Sequence, residues 1–184
     1  MKKVEETLSQ TRVYEGKILN VRFDQVRLPN GKIADREIVE HRGGVCALAV
    51  KDGCILFVSQ FRVPLHEVIL ELPAGKIERH EEPDVTIIRE LKEEVGATVN
   101  SFEKAGFCYP SPGYSEEKLY LYFTDDFELS QNSLDEDEFL DVVSVPIDHA
   151  YEMVDRGEIT DAKSLILLLK YREKLIKNNK KVKE

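Results

Sequence analysis

The most informative part of this chain is the stretch GKIERHEEPDVTIIRELKEEVGA, residues 75–97. Pro83 stands where the first turn of a helix would begin, because the missing N–H of proline costs nothing there. Gly96 can adopt the left-handed conformation that ends a helix. Between them, an apolar stripe at helical spacing is formed by Ile88, Leu91 and Val95. The stretch therefore predicts a loop followed by a helix that starts near Pro83.

Three glutamates share one face of this predicted helix. They are Glu90, Glu93 and Glu94. They lie in the last turns, where the partial negative charge of the helix end disfavours carboxylates, so stability alone does not select them. A divalent cation would, since Mg²⁺ and Mn²⁺ prefer carboxylate and carbonyl oxygens and keep sites for substrate phosphates. The alternative is a solvated acidic face that Arg89 and Lys92 partly offset.

The complete spacing of the stretch resembles the Nudix box. The matching residues are Gly75, Glu81, Arg89, Glu90, Leu91, Glu93, Glu94 and Gly96. Ala97 departs from the pattern, because the family usually has a larger aliphatic residue there. The resemblance implies an α/β fold, a Nudix-type α/β/α sandwich with a mixed β-sheet. It also implies hydrolysis of a nucleoside diphosphate linked to another moiety.

The resemblance assigns roles within and beside the box. The implied ligands of Mg²⁺, or of Mn²⁺ or another divalent cation, are Glu90, Glu94, the backbone carbonyl of Ala74, and Glu93 directly or through water. Gly75 and Gly96 are expected to be structural. Glu81 and Arg89 are expected to pair and to hold the loop against the helix. The alternative for this pair is a solvent-exposed contact that contributes little.

Features outside the box resemble the ADP-ribose pyrophosphatase branch of the family. Pro112 lies sixteen residues beyond Gly96, ELPAG occupies residues 71–75 and QFR occupies residues 60–62. The substrate-binding residues implied by this resemblance are Arg36, Arg62, Glu71, Pro112 and Glu117. The two arginines are expected to hold the pyrophosphate, because guanidinium groups bind phosphate oxygens bidentately. Glu117 is expected near the distal ribose or the metal shell, and the alternative for Arg36 is an exposed strand residue.

An acidic segment, DEDEF at residues 135–139, resembles the loop that supplies or orients the attacking water in this branch. Glu138 matches the position beside the metals, and Glu136 matches a base proposed in some members. Together with Glu94 they form the expected catalytic set. Either loop glutamate could act as the general base, which must be ionised and within hydrogen-bond reach of the water. The alternative is a solvated acidic loop.

Composition excludes several other classes of function. The net charge of -9 over 184 residues disfavours unspecific nucleic-acid binding. The apolar runs are far shorter than the roughly twenty residues that span a bilayer, so no membrane segment is expected. Cys46, Cys54 and Cys108 form no close pair and no secretory signal precedes them. A reduced, cytoplasmic location is therefore the expectation.

The order of patterns along the chain predicts two parts. Residues 1–42 should contain an N-terminal β-hairpin over residues 14–41, with its turn at residues 29–31, and residues 43–184 should form the Nudix domain. Residues 45–50 are continuously apolar and predict a strand buried on both faces, whereas residues 107–109 predict a short strand. In the branch that the chain resembles, this hairpin crosses to a second subunit, so a homodimer is expected.

The expected reaction is Mg²⁺-dependent hydrolysis of ADP-ribose, and of other nucleoside diphosphate sugars, to AMP and ribose 5-phosphate in the case of ADP-ribose. One alternative is a Nudix hydrolase for a different substrate, such as GDP-mannose or a diadenosine polyphosphate. The other is a nucleotide-sugar sensor that binds without cleaving. The complete set of box glutamates argues against the sensor, because binding alone does not require them.

Overall fold

The computed structural model describes residues 3–134 and 139–183, with side chains described up to residue 179. The chain forms two compact units. The first contains the residues up to Gly43 together with Tyr109–Lys118, and the second contains Gly44–Cys108 and the residues from Leu119 onward. The division predicted at residue 42 stays a prediction. The structure adds that the later segment Tyr109–Lys118 packs with the first unit.

The first unit is built on an antiparallel sheet of β1 (Glu6–Glu15), β2 (Leu19–Arg27) and β3 (Ile33–His41). The predicted hairpin corresponds to β2 and β3, which Gly31 joins with a positive φ of 83°. The sequence did not predict β1, because every residue of that strand is exposed and no alternation of apolar and polar residues marks it. The later segment joins β3 where the Val39 N–H donates to the Tyr114 carbonyl over 2.7 Å.

The second unit is built on a mixed sheet. Its strands are β4 (Gly44–Lys51), β5 (Cys54–Arg62), β6 (Glu67–Glu71), β7 (Ala74–Lys76), β8 (Ala97–Cys108), β9 (Leu119–Leu129) and β10 (Leu140–Pro146). The order is β10-β5-β4-β9-β8, with β6 beside β5 and β7 beside β4. The β4 and β9 strands are parallel and the other pairs are antiparallel. The predicted short strand at residues 107–109 is not separate: residues 107 and 108 are the end of the long strand β8, whose bulges interrupt the apolar alternation.

Helices cover both faces of this sheet. They are α1 (Pro83–Val95), α2 (Ile147–Asp155) and α3 (Ala162–Lys183). Alternate residues of β4 divide between the two faces: Val45 and Ala47 pack with α1, whereas Cys46 and Leu48 pack with α2 and α3. The predicted α/β/α sandwich and the doubly buried strand are confirmed. Within the described part of the chain, no helix is both long enough and apolar enough to cross a membrane.

The apolar stripe of α1 differs by one residue from the prediction. Ile88 is 42% exposed, and Ile87 is buried in its place beside Leu91. Both isoleucines fit the helical period, so spacing could not separate them. The actual stripe turns Glu90 and Glu94 toward the sheet, where they are 7% and 4% exposed. Buried carboxylates are costly unless hydrogen-bonded or paired, so their contacts define the site.

Candidate active site

Glu90 packs directly on the backbone of Gly75. A Cβ atom added to Gly75 would lie 1.9 Å from the Glu90 carboxylate carbon, so no other residue fits there without moving Glu90. Gly75 is the middle residue of β7, which pairs with β4, and α1 lies against both strands. The sheet thus fixes the surface on which this carboxylate rests.

Glu94 is held by the residue that precedes this glycine. Its Oε2 atom accepts a hydrogen bond from the Ala74 N–H over 2.9 Å. The preceding residue is fixed as well, since the Pro73 carbonyl accepts from the Ala47 N–H of β4 over 3.0 Å. These two contacts place Glu94 and the Ala74 peptide side by side. The use of the Ala74 carbonyl as a ligand stays a prediction.

Arg89 links the loop of the box to the carboxylates of the helix. Its Nε donates to Glu81 Oε1 over 2.9 Å and its Nη2 to Glu81 Oε2 over 3.0 Å. Its Nη1 donates to Glu93 over 2.8 Å and lies 2.9 Å from Glu90 Oε1. The hydrogen bonds from Arg89 lower the pKa of Glu81 to about 2. One guanidinium therefore contacts three carboxylates of the box.

The donor chemistry of this face suits a hard divalent cation. Glu90, Glu93 and Glu94 offer only carboxylate oxygens, which Mg²⁺ prefers, and each carboxylate accepts more than one bond. Within the described ranges, no three His, Cys, Asp or Glu side chains are arranged to hold a metal ion. Glu93 points to Arg89 and Glu94 to the Ala74 amide. The residues present fit the cation, and Glu93 would have to leave Arg89 to bind it directly.

The loop of residues 130–134, which leads to the acidic segment, is bonded to the C-terminal end of α1. Gly96 has a positive φ of 68°, and a Cβ atom there would lie 2.1 Å from the Ser130 carbonyl oxygen. The Asn132 side chain donates to the Glu94 carbonyl over 3.1 Å, and the Ser133 N–H donates to the Glu93 carbonyl over 3.0 Å. The loop thus satisfies carbonyls that a helix end leaves without intrahelical partners. Sequence patterns gave no signal for Asn132.

A second charged cluster lies at the end of β6. Glu71 is 4% exposed, and its Oε2 accepts from Arg62 Nε over 2.7 Å. Its Oε1 accepts from Lys163 Nζ over 2.7 Å, and Lys163 also lies 3.0 Å from Asp161. Arg62 and Glu71, both predicted for the substrate, are therefore brought together. Lys163 was not predicted, because it is distant in sequence and belongs to no recognised motif.

The remaining predicted residues lie in the first unit or outside the described residues. Arg36 pairs with Glu5, with 2.6 Å between Nη2 and Oε1. Glu117 lies 3.6 Å from Nδ1 of His41. Pro112 is exposed in the segment that joins β3. The two loop glutamates, Glu136 and Glu138, lie outside the described residues.

The sequence is similar to known proteins along most of its length. An ADP-ribose pyrophosphatase of Bacillus subtilis is 42% identical over 89% of this chain and 91% of its own length. A methanol dehydrogenase activator of Bacillus methanolicus is 37% identical over 88% and 89%, and a GDP-mannose pyrophosphatase of Yersinia enterocolitica is 32% identical over 72% and 75%.

The fold is also found among solved structures. The crystal structure of an ADP compounds hydrolase superposes with a TM-score of 0.82, covering 95% of each chain at 22% identity. At this level of identity the likeness shows the fold, and it matches the α/β/α sandwich described above. The sequence profile of the NUDIX domain matches residues 21–168, which include the whole box. This chain belongs to the NUDIX family, as the spacing of its box predicted.

Proposed function

We propose that this protein hydrolyses the pyrophosphate bond of ADP-ribose, giving AMP and ribose 5-phosphate, with Mg²⁺ as the cofactor. The choice of ADP-ribose as the substrate rests on the 42% identity to an ADP-ribose pyrophosphatase along nearly the whole chain. The box geometry supports the reaction class, because its buried carboxylates are arranged on one face of α1 beside a bare glycine backbone.

The box would hold the cofactor through four groups. They are the carboxylates of Glu90, Glu93 and Glu94 and the carbonyl of Ala74, with Glu138 as a further ligand from the acidic segment. A bound divalent cation neutralises charge on the phosphates and makes bound water more acidic. Mn²⁺ is the alternative cation, since its oxygen preference is the same.

The chain's own residues prepare this site before any ligand arrives. The Arg89 guanidinium contacts Glu81, Glu90 and Glu93, and its positive charge offsets the repulsion among these carboxylates. The Ala74 amide fixes the rotamer of Glu94. Such fixed groups do not have to reorganise when substrate binds, which favours the transition state.

The chemical step requires a base for the attacking water. A water oxygen forms a bond to phosphorus, the bond from phosphorus to the leaving phosphate oxygen breaks, and the water proton passes to a carboxylate. We propose that this carboxylate belongs to a glutamate of the acidic segment, Glu138 or Glu136. Support comes from Asn132 and Ser133, which tie the preceding loop to the carbonyls of Glu94 and Glu93.

The substrate would be held by arginine. Arg62 is the proposed pyrophosphate contact in the second unit, and its side chain is 39% exposed although Glu71 holds part of it. Arg36 is the proposed contact from the first unit, where binding would compete with Glu5. Glu117 and Pro112 complete the proposed substrate set.

A cytoplasmic homodimer is part of this proposal. The three-stranded sheet of the first unit leaves the apolar side chains of Val13, Tyr14 and Ile33 more than half exposed, and a partner subunit would cover them. The cytoplasmic location is supported by the three cysteines, which are all free. Light scattering at micromolar concentration tests the dimer, and a monomer would contradict it.

Hydrolysis of GDP-mannose is the second candidate, and the GDP-mannose pyrophosphatase relative favours it. A substrate panel with product identification by chromatography separates the candidates. We expect AMP from ADP-ribose at a higher kcat/KM than GMP from GDP-mannose. Faster release of GMP would reverse the assignment, and binding without release of either nucleotide would favour the sensor.

A further inference from the structure

Lys163 is a largely buried lysine that the sequence did not predict to belong to the site. Its side chain is 12% exposed, although lysines are rarely buried without partners. It is the second residue of α3 and lies between two carboxylates, 2.7 Å from Glu71 and 3.0 Å from Asp161. Burial opposes its charged form, yet nearby negative groups, including Asp161 and Glu71, raise its pKa above the ordinary value of a lysine. The ammonium group is therefore held in place as a cation.

The partner of Lys163 is shared with the proposed substrate arginine. Glu71 accepts a hydrogen bond from Lys163 at Oε1 and another from Arg62 at Oε2. Because Glu71 is only 4% exposed, water cannot replace a lost partner on Oε1 without rearrangement. The orientation of this carboxylate, and with it the orientation of the Arg62 guanidinium, depends on both cations.

The first turn of α3 also fixes the segment that enters the box. Asp161 caps the helix by accepting from the Ser164 N–H over 3.0 Å. The Ser164 hydroxyl in turn accepts from the Leu72 N–H over 2.7 Å. The Glu71 side chain and the Leu72 N–H are thus hydrogen-bonded to residues of α3. The Pro73 carbonyl is bonded to β4, and the Ala74 N–H is bonded to Glu94 of α1.

We propose that Lys163 is a positioning residue for substrate binding: it holds Glu71 so that Glu71 presents the Arg62 guanidinium to the substrate phosphates. The inference rests on the proposed function, because it requires Arg62 to bind phosphate. It places the effect of Lys163 on substrate affinity and not on the chemical step. The pair should also be coupled, because Lys163 acts only through Glu71 and Arg62.

A double-mutant cycle tests the coupling. We expect Lys163→Met and Arg62→Ala each to raise KM for ADP-ribose about tenfold, with kcat within about threefold of wild type. The double variant should have a KM within about twofold of Arg62→Ala, because the two changes remove one interaction. Lys163→Arg should restore most of the affinity, and Lys177→Met, which changes an exposed lysine of the same helix, should have no effect.

The outcomes that overturn the inference are distinct from those that overturn the function. An unchanged KM in folded Lys163→Met, or independent effects that multiply to about a hundredfold, would overturn it. So would failure of both Lys163 variants to fold, since Lys163 would then be required for the fold itself. If wild type does not cleave ADP-ribose, the proposed substrate is wrong. In that case the Kd of ADP-ribose, measured by calorimetry without turnover, replaces KM in the same double-mutant cycle.

Discussion

The carboxylate of Glu90 occupies the space that a side chain at position 75 would need, with 1.9 Å between the Glu90 carboxylate carbon and a Cβ atom built on Gly75. This contact, and not the backbone conformation, is what favours glycine here, since the φ of Gly75 is not positive. The bare backbone of β7 is therefore part of the site, in the same sense as the carboxylate that rests on it.

Gly75→Ala should remove activity while the protein stays folded. The added methyl group would displace the Glu90 carboxylate, and we expect kcat/KM to fall by about a hundredfold or more. Activity assays together with thermal unfolding measure the two effects. Gly157→Asn is the matched control, because position 157 has open space and a positive φ that asparagine tolerates. Activity of Gly75→Ala close to wild type would show that Glu90 can move without consequence.

The ion pair of Glu81 with Arg89 should make stability depend on pH. The folded pKa of Glu81, about 2, lies below its ordinary 4.5. This contribution is therefore complete above about pH 5 and is lost as pH falls toward 2, by roughly 3 kcal/mol in all. Urea unfolding at pH 5, 4 and 3 should show a smaller decrease of unfolding free energy in Arg89→Leu than in wild type.

Arg156→Leu provides the control for this experiment. It breaks the ion pair with Glu158, in which both side chains are about half exposed, so the unfolding free energy should change little. If the unfolding free energy of Arg89→Leu lies below that of wild type by the same amount at all three pH values, the pairing with Glu81 does not cause the pH dependence.

Asn132→Ala should lower kcat because Asn132 fastens the loop before the acidic segment to the Glu94 carbonyl. We expect a loss of about tenfold in kcat, with a smaller change in KM, since misplacing a base affects the chemical step. Asn100→Ala is the matched control, because Asn100 makes a similar bond to Asp126 on an exposed surface. Equal kcat values for the two variants would contradict a role for this loop.

A divalent cation should stabilise the folded protein, because only the folded chain gathers the box carboxylates. Millimolar Mg²⁺ should raise the Tm of wild type, and the rise should vanish in Glu90→Gln. The rise should persist in Glu173→Gln, which changes an exposed glutamate of α3. The measurement needs no substrate, so it separates cation binding from turnover. Equal rises in all three proteins would place the cation elsewhere.

The box was predictable because its chemistry is local in sequence. Spacing alone placed Glu90 and Glu94 on one face of a helix that begins at Pro83 and ends before Gly96. The one error in that helix, Ile88 for Ile87, arose because both residues fit the helical period and only the packed sheet distinguishes them. The α/β/α sandwich was implied by the resemblance of the box to the Nudix family, and the continuous apolar run at residues 45–50 predicted only one strand buried on both faces.

The parts that sequence could not supply are those made by distant contacts. Lys163 reaches Glu71 across 92 positions and Asn132 reaches Glu94 across 38, and neither side chain belongs to a periodic pattern. The β1 strand was missed because all of its residues are exposed and its few apolar residues do not alternate with polar ones. Such features are fixed by pairing and packing, which appear only once the fold is known.

The most direct test of the account is ADP-ribose hydrolysis with Mg²⁺ by the parent, Glu94→Gln and Glu138→Gln. We expect release of AMP by the parent and losses of several orders of magnitude in kcat for both variants, because one change removes a cation ligand and the other a proposed base. A parent that binds ADP-ribose and releases no AMP, or a Glu94→Gln variant as active as the parent, would contradict it.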